Sequence, residues 1–88
     1  IPVDLFGLAA DYNAILAIAR RENLLVIEDA AQSIGGKAGE KMCGAFGDVG
    51  STSFYPSKPL GCYGDGGAIF TNDDAFAEKL RSFAFHGK

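Results

Sequence analysis

The chain has 88 residues, 48% of them hydrophobic, which is enough for one small core. Its formal net charge is −3 and it has no run of five or more basic residues, so a nucleic-acid-binding surface is disfavoured. No apolar run reaches the roughly 18 residues needed to cross a bilayer, and no secretory signal pattern opens the chain. Cys43 and Cys62 match no zinc or redox motif, which predicts free thiols in a reducing cytoplasm.

The opening residues predict the end of a strand followed by a helix. Ile1–Leu5 is interpreted as the strand end. Asp11 is a typical N-cap residue, so we expect the helix to begin there and to run to about Glu22. Apolar residues at helical spacing predict its buried face: Ala14, Ile15, Ile18 and Ala19.

A second strand is predicted by the continuous apolar run Leu24–Ile27. Strands of a parallel sheet look like this when helices cover both faces of the sheet. A helix followed by this strand forms the second half of a β-α-β unit and leaves Glu28 and Asp29 at the strand's carboxyl end. Ala30–Ser33 could begin a turn of helix.

The middle of the chain predicts a glycine-rich loop and two further strands. The loop is Gly35–Gly50, with a short hairpin around Gly39–Lys41. Ser51–Tyr55 favours a strand, because threonine and aromatic residues are enriched in strands. A second loop over Pro56–Gly64 separates this strand from another at Gly66–Thr71.

A final helix completes the pattern. Asn72 or Asp73 is its expected N-cap, and Phe76, Leu80 and Phe83 are spaced to form one buried stripe. Together, these helices and strands predict the α/β fold class.

Asp29 is the first candidate for chemistry, because ligands of open α/β sheets bind at the carboxyl ends of the strands. An acid there could meet a positive ring nitrogen, a sugar hydroxyl or a metal ion. Short polar residues also follow strands simply to cap a turn or a helix, so the spacing leaves both interpretations open. A magnesium site made of Glu28, Asp29 and Asp48 is disfavoured, because no phosphate-loop motif accompanies them.

Lys58 is the second candidate, because it lies between Pro56 and Pro59 and beside aromatic and apolar residues. A lysine withdrawn from water offers an amine for Schiff-base chemistry. An exposed loop lysine whose stem lies on apolar surface would show the same local sequence. Hydroxyl groups at Ser53 and Ser57 could bind a phosphate, although strands and turns also use serine for ordinary reasons.

Four segments together resemble one enzyme family: Val26–Ser33, Gly47–Gly50, Ser53–Gly61 and Gly64–Ala68. In this combination the whole chain resembles the DegT/DnrJ/EryC1/StrS family of pyridoxal-phosphate-dependent nucleotide-sugar aminotransferases. The resemblance implies the aspartate-aminotransferase-like fold (fold type I), with a mostly parallel sheet flanked by helices. Because family members are several times longer, residues 1–88 are expected to be an incomplete part of the pyridoxal-phosphate-binding large domain.

The resemblance also implies roles for the matching residues. Lys58 would form the internal aldimine with pyridoxal 5′-phosphate, and Asp29 would pair with the protonated pyridine nitrogen, which keeps the ring an electron sink. Gln32 would contact the ring face or the region of the 3-hydroxyl group, and Ser53 would bind the cofactor phosphate. Some members of the wider family carry histidine in place of the lysine and dehydrate sugars, so the presence of Lys58 favours transamination.

The implied reaction transfers an amino group from an amino acid, typically glutamate, to a keto-sugar attached to a nucleotide. Pro56–Gly67 resembles members that act on UDP-linked keto-sugars, including the 3-keto uronic acid type. Family members are homodimers, and the isolated piece is expected to be neither stable nor active. Two alternatives remain: a non-catalytic cofactor-binding or regulatory protein of the same fold, and a generic metal- or phosphate-binding α/β domain.

Overall fold

The computed structural model describes residues 1–87 and contains, within them, five short strands and two helices. The helices are α1 (Tyr12–Arg21) and α2 (Asp74–Ala84). The strands are β1 (Ile27–Asp29), β2 (Lys37–Ala38), β3 (Lys41–Met42), β4 (Val49–Ser53) and β5 (Gly67–Phe70). No helix in this part of the chain is long and apolar enough to cross a membrane.

The central sheet has the strand order β1–β4–β5. β1 pairs in parallel with β4, which places Asp29 opposite Ser51, and β5 runs antiparallel to β4. On the other side of β1, Val3 forms a parallel bridge with Asp29. Two backbone hydrogen bonds of 2.9 Å support this bridge, from Asp4 N–H to the Asp29 carbonyl and from Asp29 N–H to the Pro2 carbonyl. The described sheet is therefore mixed, with a parallel pairing on each side of β1 and an antiparallel one between β4 and β5.

Both helices begin at aspartates that the sequence identifies as caps. Asp11 caps α1 and Asp73 caps α2, each by accepting a hydrogen bond from the backbone N–H three residues later. The predicted buried faces are only partly right, because Ala14, Ile18 and Phe83 are exposed. The helices thus form where their local signals indicate, but they cover the sheet less completely than the apolar spacing predicts.

Two strands are displaced from their predicted positions. The run Leu24–Ile27 predicts a strand, yet β1 begins at its last residue, and Leu24 and Leu25 are 59% and 80% exposed. The strand predicted at Ser51–Tyr55 lies two residues earlier, as β4. The residues at Ala30–Ser33 form a turn without helix. Pairing between β1 and β4 sets these strand boundaries, and a local apolar run contains no information about that pairing.

The core is small, and the 44–47 loop completes it. Its buried hydrophobic side chains are those of Tyr12, Ala19, Val26, Ala30, Cys43 and Val49. The 44–47 loop packs directly on β4, where any side chain at Gly50 would overlap the backbone of Gly44. The predicted hairpin around Gly39–Lys41 is observed, with β2 and β3 as its two short strands.

Candidate functional site

The four predicted site residues all lie on segments at one edge of the sheet. Because β1 and β4 run in parallel, their carboxyl ends meet there. Asp29 is the last residue of β1, and Ser53 is the last residue of β4. Gln32 lies in the turn that follows β1 and is exposed, and Lys58 lies in the loop that follows β4. We call this region the carboxyl edge.

Asp29 and Ser53 also project from the same face of the sheet. Asp29 is the register partner of Ser51, and such partners in a parallel pair point to the same face. Ser53 follows Ser51 by two residues, which is one full period of a strand. The strand ends are tied together, because Ala30 N–H donates to the Ser51 carbonyl at 2.8 Å and the Thr52 hydroxyl donates to the Ala30 carbonyl at 3.3 Å.

Asp29 combines a structural contact with spare acceptor capacity. It is half-buried, and its Oδ1 accepts a hydrogen bond from Ala31 N–H at 3.0 Å. Aspartate commonly makes this bond in turns, so the capping role that the sequence left open is present. An ionised carboxylate has about four acceptor sites. Asp29 can therefore stabilise the turn and also bind a cationic group.

The loop between β4 and β5 carries Lys58, and two backbone hydrogen bonds of Phe54 close this loop. Phe54 N–H donates to the Gly66 carbonyl and the Phe54 carbonyl accepts from Cys62 N–H, each at 2.7 Å. Within the loop, Lys58 N–H donates to the Tyr55 carbonyl at 2.8 Å, and Pro56 presets the backbone at the second position of this turn. Lys58 is half-buried, which places it between a fully solvated lysine and a core residue.

Ser53 keeps its hydroxyl proton available. Its Oγ accepts a hydrogen bond from Tyr55 N–H at 3.2 Å, and this bond uses an oxygen lone pair only. A hydroxyl group that can still donate, at the end of a strand, suits an anionic oxygen such as that of a phosphate. Ser57 is exposed, and nothing in the structure assigns it a role.

The donor set of the carboxyl edge fits pyridoxal 5′-phosphate. Asp29 would offer a carboxylate to a protonated ring nitrogen, Lys58 an amine to an aldehyde, and Ser53 a hydroxyl proton to a phosphate oxygen. The shared face of Asp29 and Ser53 is the observation that supports this fit, because one flat molecule can contact both only from one side of the sheet.

Glu28 points away from this face, because neighbouring residues of a strand project to opposite sides. It is fully buried and accepts hydrogen bonds from three backbone N–H groups of the 44–47 loop: those of Gly44, Phe46 and Gly47. Burial raises the pKa of Glu28, and the neighbouring Asp4 carboxyl group raises this pKa further, while the three N–H groups lower it. Glu28 therefore cannot join Asp29 in the magnesium site that the sequence disfavoured.

Asp4 is a second fully buried acid, and the sequence did not predict it. Its Oδ1 accepts hydrogen bonds from the Tyr12 hydroxyl at 2.6 Å and from Ala10 N–H at 3.1 Å. Burial alone would raise the pKa of Asp4, but the neighbouring Glu28 carboxyl group and the hydrogen bonds from the Tyr12 hydroxyl and Ala10 N–H outweigh burial and lower this pKa. The available signal was an acid beside apolar, strand-like residues in two places: Asp4 lies in Ile1–Leu5, and Glu28 follows Leu24–Ile27.

Comparison with known proteins identifies a family and similar sequences. The DegT/DnrJ/EryC1/StrS aminotransferase family matches residues 1–88. The UDP-2-acetamido-2-deoxy-3-oxo-D-glucuronate aminotransferase of Pseudomonas aeruginosa is 57% identical over 89 aligned residues, which cover 100% of this chain and 24% of the relative. A pleiotropic regulatory protein of Geobacillus stearothermophilus is 56% identical over 99% of this chain and 23% of its own length.

Two solved structures share the fold. A DegT DnrJ EryC1 StrS aminotransferase from Brucella abortus is 75% identical, with a TM-score of 0.97 over 99% of this chain and 23% of its own. The ntda protein of Bacillus subtilis, solved with bound cofactor pmp, is 39% identical, with a TM-score of 0.84 over 96% of this chain and 18% of its own. The predicted fold class is confirmed, and the chain spans about a quarter of the length of the curated relatives it matches. The chain belongs to the DegT/DnrJ/EryC1/StrS aminotransferase family.

Proposed function

We propose that the full-length protein is a pyridoxal-phosphate-dependent aminotransferase whose amino donor is glutamate and whose acceptor is a nucleotide-linked keto-sugar. Residues 1–88 form part of its cofactor-binding large domain. The parallel pairing of β1 with β4 carries this proposal, because it brings Asp29, Ser53 and the loop of Lys58 to one edge. The family match and the aminotransferases among the similar proteins support the chemistry.

Four residues of the carboxyl edge would hold the cofactor. Lys58 would bind it covalently through Nζ, Asp29 would accept a hydrogen bond from the protonated ring nitrogen, and Ser53 would donate to a phosphate oxygen. Gln32 would contact the ring face or the region of the 3-hydroxyl group. When bound, the cofactor supplies an electron sink that stabilises negative charge on a substrate carbon. The charge of Asp29 supports that chemistry by keeping the ring nitrogen protonated.

Lys58 would also carry the proton during the reaction. The free amine of Lys58 would take a proton from the substrate carbon and later return it. The hydrogen bond from Lys58 N–H to the Tyr55 carbonyl fixes the backbone position of Lys58.

The acceptor is proposed to be a UDP-linked 3-keto uronic sugar. The relative that is 57% identical is named for such a substrate, UDP-2-acetamido-2-deoxy-3-oxo-D-glucuronate. The resemblance of Pro56–Gly67 to members acting on UDP-linked keto-sugars points the same way. We further propose a cytoplasmic homodimer. The free thiols of Cys43 and Cys62 suit a reducing compartment, because an exposed thiol such as that of Cys62 is readily oxidised elsewhere.

Borohydride trapping on the full-length protein tests the assignment of Lys58. Reduction should fix the cofactor on the peptide that contains Lys58, and mass spectrometry identifies the modified residue. Lys58→Ala should abolish trapping, whereas Lys79→Ala, which alters an exposed lysine of α2, should leave it unchanged. Cofactor fixed on a different lysine would overturn the assignment.

A non-catalytic regulatory protein of the same fold is the second candidate. The 56% identical relative that is named a pleiotropic regulatory protein favours it. Such a protein would bind the cofactor without converting it, so addition of glutamate would leave the absorbance of the bound aldehyde form unchanged. An aminotransferase should lose that absorbance on addition of glutamate and regain it on addition of the UDP-linked keto-sugar.

A further inference from the structure

Asp4 and Glu28 project from the same face of neighbouring segments, because the parallel bridge pairs Val3 with Asp29, and we call them the carboxyl pair. Oδ2 of Asp4 has no hydrogen-bond partner in the described chain. Both side chains are 0% exposed. Segments outside this chain can only add cover, so the pair stays buried in the full-length protein. A buried polar atom without a partner is destabilising, and each such atom in a folded protein calls for a physical explanation.

Within residues 1–87, the groups that face the pair supply no positive charge. The titratable ones are Tyr12 from α1 and Cys43, which precedes the 44–47 loop. The remaining contacts are backbone N–H groups, from Ala10 and from the 44–47 loop. Two neighbouring buried carboxyl groups cannot both ionise readily without a cation. A proton held between them would remove one charge and give Asp4 Oδ2 its missing partner.

Backbone contacts connect the carboxyl pair to Asp29. Glu28 precedes Asp29 in β1, and Asp4 N–H donates to the Asp29 carbonyl at 2.9 Å. The Ser33 hydroxyl, in the turn that follows Asp29, donates to the Asp4 carbonyl. Any force that separates Asp4 from Glu28 therefore acts on the backbone that holds Asp29 at the carboxyl edge.

We propose that Asp4 and Glu28 share one proton at neutral pH and that this shared proton positions Asp29. The positioning role rests on the proposed function, whereas the shared proton does not. When the pair loses the proton at higher pH, two buried carboxylates repel each other. The segment beside β1 then loosens, and Asp29 loses its place opposite the ring nitrogen. Asp4 and Glu28 are positioning residues, because they act through Asp29.

The direction of the pH dependence follows from the proton count. Glu28 titrates near 4.5 in the unfolded chain, and its pKa is raised in the fold. Between these two values the folded protein holds more protons than the unfolded chain does. The stabilising contribution of the pair is therefore complete below 4.5 and is lost as pH rises through the folded pKa. The lowered pKa of Asp4 contributes stability that is complete above its usual 3.8 and is lost as pH falls through the lowered value.

Infrared spectroscopy of the full-length holoenzyme tests the shared proton. A protonated carboxyl group shows a carbonyl stretching band that ionised carboxylates lack, and the wild type should show it at pH 7. Asp4→Asn should remove this band, because the amide can donate to an ionised Glu28. Asp74→Asn, which changes an exposed acid of α2, should retain it. A wild-type spectrum at pH 7 without a band that depends on Asp4 would overturn the proposal.

Retention of the cofactor as a function of pH tests the positioning role. The wild type should release cofactor as pH rises. In Asp4→Asn the pH of half-release should be higher by roughly one pH unit or more, whereas in Asp74→Asn it should not change. An unchanged pH of half-release in Asp4→Asn would overturn the positioning role. If Asp4→Asn does not fold, the infrared band of the wild type must disappear over the pH range of cofactor release, and a mismatch refutes that role. A protein that binds no pyridoxal phosphate refutes the proposed function, while the infrared band still decides the shared proton.

Discussion

Glu28 and Asp29 are adjacent acids of one strand, yet they meet opposite environments. Glu28 is fully buried and accepts three hydrogen bonds from backbone N–H groups of the 44–47 loop. Asp29 is half-buried at the carboxyl edge and accepts one hydrogen bond, from Ala31 N–H. Because a strand directs successive side chains to opposite faces, one acid holds the fold together while its neighbour remains available to a ligand.

Replacing each acid in turn should separate these two roles, with the largest effects expected here. Glu28→Ala should lower the free energy of unfolding of the full-length protein by about 3 kcal/mol or more, because buried N–H groups lose their acceptor and a cavity remains. Asp29→Asn should change it by less than about 1 kcal/mol, because the amide oxygen still accepts from Ala31 N–H. It should instead reduce aminotransferase activity about 100-fold or more, because a neutral amide no longer favours a protonated ring nitrogen.

Urea denaturation and steady-state kinetics measure both effects on the same preparations. Glu40→Ala is the matched control, since this acid is exposed in the turn between β2 and β3, and it should alter neither quantity. A loss of stability in Asp29→Asn as large as that in Glu28→Ala would show that both acids are structural and would remove the distinction.

A smaller effect is expected in the loop that presents Lys58. A Cβ atom at Gly61 would lie 2.5 Å from the carbonyl oxygen of Pro56, whereas one at Gly64 would meet nothing within 4 Å. Gly61→Ala should therefore displace the turn that carries Lys58 and lower activity about tenfold or more. Gly64→Ala should stay close to the wild type. Equal activity of the two variants would show that this backbone contact does not position Lys58.

The helices and the hairpin could be predicted because their signals are local. Asp11 and Asp73 each cap a backbone N–H only three residues away. The turn at Gly39–Glu40 joins two strands that it directly adjoins. Each of these elements can be recognised from a window of a few residues, without knowledge of the rest of the fold.

The strand boundaries and the buried acids could not be predicted in this way. β1 extends through Glu28, whose hydrogen-bond partners lie 16 to 19 residues further along the chain. The apolar run that precedes Glu28 is largely exposed, so hydrophobicity alone misplaced the strand. The place of Asp29 at the carboxyl edge followed from the pattern. The role of Lys58 came only from the family resemblance, because a snorkelling lysine has the same local sequence.

The most direct test is a crystal structure of the full-length protein with pyridoxal 5′-phosphate bound. We expect Nζ of Lys58 to be bonded to the cofactor and a carboxylate oxygen of Asp29 to lie about 2.8 Å from the ring nitrogen. A ring bound by Lys58 but out of hydrogen-bonding reach of Asp29, or on the opposite face of the sheet from it, would contradict the proposed site.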